Sequence, residues 1–494
     1  MRIDDSAATI AGMLTSVVGT DRAGSITITP CGAVGEVTGS GYLVKTPRAK
    51  VLVDFGLFQG RPGAEQANAS LSPVDPKALD AVVVTHAHLD HIGRLPILAA
   101  AGYHGPIYAT PATAELATIM LEDAAKVQEQ DAERENRHRQ PGGIRQELPP
   151  VKPLYGMDEI ALLPPLCRTL KLEERREIAP GVNIRFFEAG HILGSASVEM
   201  TIEAGSSSKT IVFSGDIGQR GSPILNDPVL PERADLIILE STYGDRDHRS
   251  QADSVREFQG VLKSAVWEKR RVLVPAFAVG RTQAILYHIA AAVREQIIPQ
   301  FPTYLDSPLG AKATTLYVHH QELYDREAAH LARTKRLEEH LRNLRVLATS
   351  AQSKELNDSW EPCVIIAGSG MADGGRIVHH LKHGLWRKNV SVILPGFMAQ
   401  GTLGRRLADG AHKVYIHGDE IPVRATIHTI GGFSAHAGQS ELVGWLAKAM
   451  EQSAKPSVVL THGEDPQREA LAVKIRERYS VEALRPIPGD VISL

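Results

Sequence analysis

Thr85-His86-Ala87-His88-Leu89-Asp90-His91 brings three imidazoles and one carboxylate together within seven residues. The apolar run Ala81-Val82-Val83-Val84 stands just before it and reads as a buried β-strand. Ligand-type side chains are therefore delivered together at a strand end, where α/β proteins place their chemistry. Imidazole suits zinc and similar divalent metals, and a carboxylate can share the charge of a second ion. A His-rich polar turn would need four coincidences to give this order, so the segment is read as a metal site with room for two ions.

Other short strands end in residues of the same kind. Lys50-Val51-Leu52-Val53-Asp54-Phe55-Gly56 closes on a carboxylate and a turn glycine. Phe186-Phe187-Glu188-Ala189-Gly190-His191-Ile192-Leu193-Gly194 sets His191 between glycines, and Thr210-Ile211-Val212-Phe213-Ser214-Gly215-Asp216 runs from strand to turn to Asp. Alone, each is common turn chemistry. In this order they resemble the four motifs of the metallo-β-lactamase superfamily. That resemblance implies that His86, His88 and His191 hold one metal, that Asp90 and His91 hold the other, and that Asp216 bridges the two. Asp54 would sit behind them and orient a ligand.

The chain continues far beyond Asp216. Glu240 ends the strand Asp235-Leu236-Ile237-Ile238-Leu239, His436 lies in Gly432-Phe433-Ser434-Ala435-His436-Ala437, and His462 follows Ser457-Val458-Val459-Leu460-Thr461. These three resemble the additional motifs of the β-CASP nucleases, and segments around Arg281, Ser307, Ser369 and Arg376 resemble that family's inserted cap. The similarity covers nearly the whole chain from about residue 24. It implies a metallo-β-lactamase αββα sandwich of α/β class with an inserted α/β β-CASP cap. The implied cofactor is two Zn²⁺, with Mn²⁺ as the other candidate. In this family a His at the last motif goes with RNA-processing members, bacterial and archaeal ribonucleases and the cleavage and polyadenylation nuclease subunit among them. His462 thus implies an RNA substrate and would complete the ligands of the second metal.

The expected organisation is 1–243 for the first part of the lactamase-like domain, 244–428 for the cap and 429–494 for the return. In the cap, a helix from Ser254 to Lys269 and strands Arg271–Pro275 and Val390–Pro395 suggest a parallel sheet. An insertion of this kind requires its two ends to lie close together. The segment Lys126–Pro153 reads as a long helix running into an exposed loop.

At 494 residues the chain can bury more than one core. Cys31, Cys167 and Cys363 are scattered, which excludes a disulfide framework or a Cys-rich zinc site and points to the cytoplasm. No apolar run approaches the roughly 18 residues a bilayer span needs, so no membrane partner is expected. Ala7–Gly19 is mildly apolar, but Asp4 and Asp5 stand where a signal peptide needs positive charge. The formal charge of −3 is unusual for a nucleic-acid enzyme, whose affinity rests on a basic face. Either positive charge is concentrated at the site or the substrate is short or not nucleic acid.

Weaker candidates fall into two groups. For the substrate, Arg281, Ser307, Ser369, Arg376 and Ser434 are the candidates, with Gly368-Ser369-Gly370 offering free backbone N–H groups to phosphate. Arg134, Arg137, His138 and Arg139 read as a charged helix surface. His379-His380-Lys382-His383 and His319-His320 read as solvated faces before metal sites.

The implied reaction is phosphodiester hydrolysis of RNA, single-stranded by expectation, by two divalent ions about 3.5–4 Å apart. Asp90 and Asp216 would act at the metals, and His436, held by Glu240, would protonate the leaving oxygen. The alternatives are another lactamase-fold hydrolase, acting on DNA or an ester, and a non-catalytic RNA-binding scaffold. Such scaffolds usually lose metal ligands, and here none is missing. Homodimerisation is compatible with the sequence.

Overall fold

A computed structural model describes residues 25–139, 149–205, 207–334 and 336–494. Ala7–Gly19, the loop beyond Arg139 up to residue 148, and the side chains of His138 and Arg139 lie outside what is described.

The apolar runs that end in ligand-type residues are strands, and they alternate between two cores. Val51 and Val53 face one hydrophobic cluster while Leu52 between them faces another, an alternation that ends at Asp54, whose φ is 56°. Leu236 and Ile238 likewise point opposite to Ile237 and Leu239. This is the two-residue period of a strand covered on both faces, which is why these runs are continuously apolar.

Seven strands form the first sheet, in the order 492–493, 27–30, 41–45, 50–55, 81–83, 107–109, 167–169. Another seven form the second, in the order 483–484, 457–461, 236–240, 207–213, 196–204, 182–188, 175–179. The sheets pack face to face through Ile28, Val44, Val53, Phe186, Val198, Ile211 and Val459. Each side chain of that kind contributes about 1.5–3 kcal/mol when fully buried. Helices Leu95–Ala100 and Pro111–Arg139 cover the first sheet, and Gln439–Trp445 and Asp465–Tyr479 cover the second. The result is the expected αββα sandwich.

The cap carries a six-stranded sheet, ordered 344–346, 303–306, 364–367, 271–275, 390–394, 426–429, with every neighbouring pair parallel. Its helix Gln251–Trp267 begins earlier than the periodicity predicts, because the Ser250 hydroxyl accepts the Asp253 N–H and caps it. The chain leaves the sandwich after Glu240, is back on it by helix Gln439–Trp445, and then adds the strand Ser457–Thr461. That strand runs parallel to Leu236–Glu240, with Glu240 opposite Thr461. The two ends of the insertion are thus neighbours in one sheet. No helix among the described residues is long and apolar enough to cross a membrane.

Two surface readings need correction. His380 is 1% exposed, and its ring bonds Asp306 and Asn357 at 2.7 Å each. It shares the buried register of its helix with Ile377, Leu381 and Gly384, while His379 and His383 stay exposed. His320 is also buried, where its helix from Pro308 ends against Glu115 and Glu322.

Candidate metal centre

Asp54 is buried between the sheets and anchors the site. Its carboxylate accepts the Thr85 N–H and the Thr85 hydroxyl, both at 2.8 Å, and meets His91 Nδ1 at 2.8 Å. His91 Nδ1 donates to that carboxylate, which aims Nε2 at Asp216 and His462. The Asp90 backbone packs so closely on Gly56 that a Cβ there would lie 1.5 Å from the Asp90 carbonyl oxygen. After His88, the helical turn Leu89–Ile92 carries Asp90 and His91, and it sets the His91 ring 4.0 Å from that of His86.

The imidazole nitrogens then crowd together around Asp216. His88 Nδ1 lies 3.1 Å from His86 Nε2 and 3.2 Å from His191 Nε2. His86 Nε2 and His191 Nε2 stand 3.5 and 3.6 Å from Asp216 Oδ2. Outer partners fix the rings: Thr85 Oγ1 lies 3.2 Å from His86 Nδ1, and the Ala435 carbonyl accepts from His191 Nδ1 at 3.2 Å. On the other side of Asp216, His91 Nε2 and His462 Nε2 are 3.2 Å apart, and His462 Nε2 is 3.6 Å from Asp90 Oδ2. Asp216 Oδ1 lies 3.3 Å from His91 Nε2 and 3.5 Å from His462 Nε2, yet it is a buried oxygen with no hydrogen-bond donor.

Facing lone pairs around an orphaned carboxylate oxygen fit cations and little else. The donors fall into two groups that share Asp216, namely His86, His88 and His191, and Asp90, His91 and His462. Burial above all holds His86 and His191 well below the ordinary imidazole range and brings His88 down to about 4, so these nitrogens stay free to bind. Burial opposes charge at His91 too, but Asp216 and Asp54 outweigh it and lift that imidazole well above its usual value. The carboxylates at the centre demand positive charge.

His436 stands beside this cluster. Its Nδ1 is 3.3 Å from Glu240 Oε1, its Nε2 is 3.9 Å from Asp216 Oδ2, and its ring is 4.5 Å from that of His191. Glu240 is fixed by the N–H groups of Ile217 and Thr242, at 2.7 and 3.2 Å. Burial works against the imidazolium, but Glu240 and Asp216 prevail and raise His436 to about 9.

The remaining sequence candidates divide. Arg281 and Ser434 line a small cavity that opens beside His191, together with Tyr317 and His288. Ser307 caps the helix Pro308–His319 by accepting the Gly310 N–H. The Arg376 guanidinium is engaged inside the cap, with Asp306 at 2.6 Å and the Leu347 and Ala348 carbonyls at 3.0 and 3.2 Å. Ser369 Oγ accepts the Gly374 N–H at 3.3 Å. The structure does not bring Ser307, Ser369 or Arg376 into contact with the cluster.

Thr85, Thr242 and the aromatic group at the edge of the site carried no role in the sequence. Thr242 Oγ1 lies 3.1 Å from His462 Nδ1, and Arg246 stacks over Tyr243 and Phe397. The one available signal was the position of both threonines directly beside motif residues, Thr85 before His86 and Thr242 two after Glu240.

Two tests arise from this geometry. Asp54→Ala removes the acceptor that fixes His91, and metal affinity is expected to fall roughly 10–100-fold in calorimetric titration. Unchanged affinity would show that Thr85 alone sets the ring. The second test concerns Glu188, whose carboxyl burial pushes up to about 7 although it accepts the Gly190 N–H. A carboxyl raised in the fold is disfavoured when ionised, so stability falls as pH rises from the unfolded value of about 4.5 to about 7, and the full cost persists above. Glu188→Gln should therefore stabilise the protein by up to about 3 kcal/mol at alkaline pH and by little at acid pH, read from paired melting curves.

Comparison with known proteins agrees with this layout. Residues 34–266 match the family model for the Metallo-beta-lactamase superfamily, 282–407 the Beta-Casp domain, and 420–486 the Zn-dependent metallo-hydrolase RNA specificity domain. Ribonuclease TTHA0252 of Thermus thermophilus is 40% identical over 445 residues, covering 90% of this chain and 94% of that protein. Transcription termination factor FttA of Methanosarcina mazei is 29% identical over 469 residues, covering 92% and 70% respectively. An RNase J-like protein of Methanocaldococcus jannaschii is 29% identical over 458 residues, covering 91% and 96%. Among solved structures, a protein of unknown function from Enterococcus faecalis shares the fold, with a TM-score of 0.52 at 12% identity over 95% of this chain and 100% of that one.

Proposed function

The chain belongs to the metallo-β-lactamase superfamily and carries its Beta-Casp insertion, and on that premise we propose that it is a metal-dependent ribonuclease hydrolysing phosphodiester bonds beside Asp216. The observation that carries the reading is the pair of donor groups sharing one orphaned carboxylate. Five imidazoles and two carboxylates suit zinc, which we take as the native ion. Divalent cations held there would make an attacking water more acidic and offset the charge that develops on the phosphorus-bound oxygens.

The chain's own residues supply the rest. Asp54 and the Ala435 carbonyl keep His91 and His191 in one tautomer each, so Nε2 stays available. His436 is held by Glu240 in the charged form and can give a proton to the leaving 3′-oxygen. Arg281 and Ser434, in the cavity beside His191, are placed to meet the backbone of the substrate. We therefore read the substrate as single-stranded RNA, since a strand whose bases are already unpaired can enter such a cavity. Local positive charge also answers the formal charge of −3, because phosphate needs a cationic site and not a cationic protein. Three cysteines without a disulfide support a cytoplasmic setting.

The test is a comparison of purified, metal-replete protein on end-labelled RNA and on DNA of the same sequence. RNA is expected to be cut much faster. Equal rates would overturn the RNA assignment while leaving the metal centre intact.

A further inference from the structure

A second set of ligand-type side chains lies where the sandwich meets the cap. The sandwich helix Pro111–Arg139 and the cap helix Pro308–His319 pack antiparallel, as their cross-links show. Glu122 faces Lys312 at 3.6 Å, and seven residues along each helix, in opposite directions, Glu115 meets the end of the cap helix at His319 and His320. Seven residues are two turns, so both rungs lie on one face. The first rung is an ordinary ion pair. The second has two imidazoles where the first has an ammonium.

His320 gives that rung its character. It is 5% exposed, and its Nδ1 lies 2.9 Å from Glu322 Oε1. A neutral imidazole donating Nδ1–H to that carboxylate leaves Nε2 as a lone pair. Nε2 stands 3.2 Å from Glu115 Oε1 without a hydrogen-bond partner in acceptable geometry. The ligating atoms of Glu115, His319 and His320 all lie within 4.8 Å of one another. The His319 ring stands edge-on to that of His320, with centroids 5.1 Å apart.

We propose that Glu115, His319 and His320 form a second cation site, distinct from the centre around Asp216, which takes a divalent transition ion of the zinc type and staples the cap to the sandwich. Two nitrogens and one carboxylate oxygen suit zinc, cobalt or nickel and not the oxygen-seeking magnesium or calcium. Glu322 behind His320 is the carboxylate that orients a ligating imidazole and raises its basicity. Water would fill the open position, since the rung lies at the surface with Glu115 and His319 exposed. The staple bears on the main centre by position: two residues before His319, Tyr317 accepts the Leu193 N–H at 3.1 Å, in the loop that carries His191.

The site is tested with the full-length protein dialysed against zinc buffered at low micromolar concentration, and with cobalt as a spectroscopic probe. His319→Ala and Glu115→Gln change exposed side chains, and circular dichroism checks that both variants fold. Each is expected to hold one metal equivalent per chain fewer than the parent and to lose one cobalt component from the visible spectrum. Zinc should also raise the parent's melting temperature a few degrees more than that of either variant. Equal metal content and equal melting shifts in parent and variants would overturn the proposal, leaving His320 as a structural side chain between Glu115 and Glu322.

Discussion

Asp216→Ala is expected to abolish hydrolysis and to empty the metal centre in one step. Its two oxygens address both donor groups: Oδ2 lies 3.5 Å from His86 and 3.6 Å from His191, and Oδ1 lies 3.3 Å from His91 and 3.5 Å from His462. No other carboxylate has that reach, since Asp90 is grouped with His91 and His462 alone. The loss should exceed the roughly 10–100-fold that follows removal of an outer partner such as Asp54. Stability should fall as well. Burial disfavours the Asp216 carboxylate, but His462, His91 and His86 outweigh it and hold its carboxyl well below the usual range, so alanine removes a group that the metal-free fold favours. At neutral pH the metal-free variant should melt lower than the metal-free parent, and zinc bound at the centre should no longer raise its melting temperature. Elemental analysis and melting curves with and without zinc check this. A variant that keeps the parent's metal content would show that Asp216 is not the shared ligand.

Much of this centre was legible in the sequence, and the reason is mechanical. Most of the candidate ligands follow a strand end, and strand ends announce themselves as short apolar runs broken by glycine or a polar cluster. His86 and His88 follow Ala81–Val83, Asp216 follows Ser207–Phe213, and His462 follows Ser457–Thr461. Resemblance supplied what periodicity could not, namely that residues 376 positions apart, from His86 to His462, converge. The substrate candidates show what a sequence cannot display. Arg376 and Ser307 were chosen for type and motif, and both are engaged in holding the cap together. A sequence shows that an Arg is present, but not that a carboxylate such as Asp306 already holds it. His380 and His320 illustrate the same blindness: adjacent charges suggested solvent, yet one residue along a helix is a rotation of about 100° and turns a side chain inward. Thr85 and Thr242 were invisible because a hydroxyl acquires its role only when the imidazole it orients is in place.

His436→Ala separates proton donation from metal binding. His436 groups with Asp216 and Glu240 and with none of the other imidazoles; it lies 3.9 Å from Asp216 at its nearest approach, and its other nitrogen is committed to Glu240. The variant should keep its zinc, whereas Asp216→Ala loses it. The cleavage rate should nonetheless fall roughly 10²–10⁴-fold, the usual worth of a positioned general acid. The loss should depend on the leaving group. A substrate whose bridging 3′-oxygen is replaced by sulfur departs as a thiolate and needs no proton, so it should recover most of the deficit in the variant while gaining little in the parent. Glu240→Gln should show a smaller defect of the same pattern, because the amide can still hold Nδ1 but no longer favours the imidazolium. A purely structural His436, one that only seats the Ser434–Ala437 turn against Gln219 and His248, predicts otherwise. Its removal would slow both substrates by the same factor, and that result would move the search for the acid to another residue beside His191.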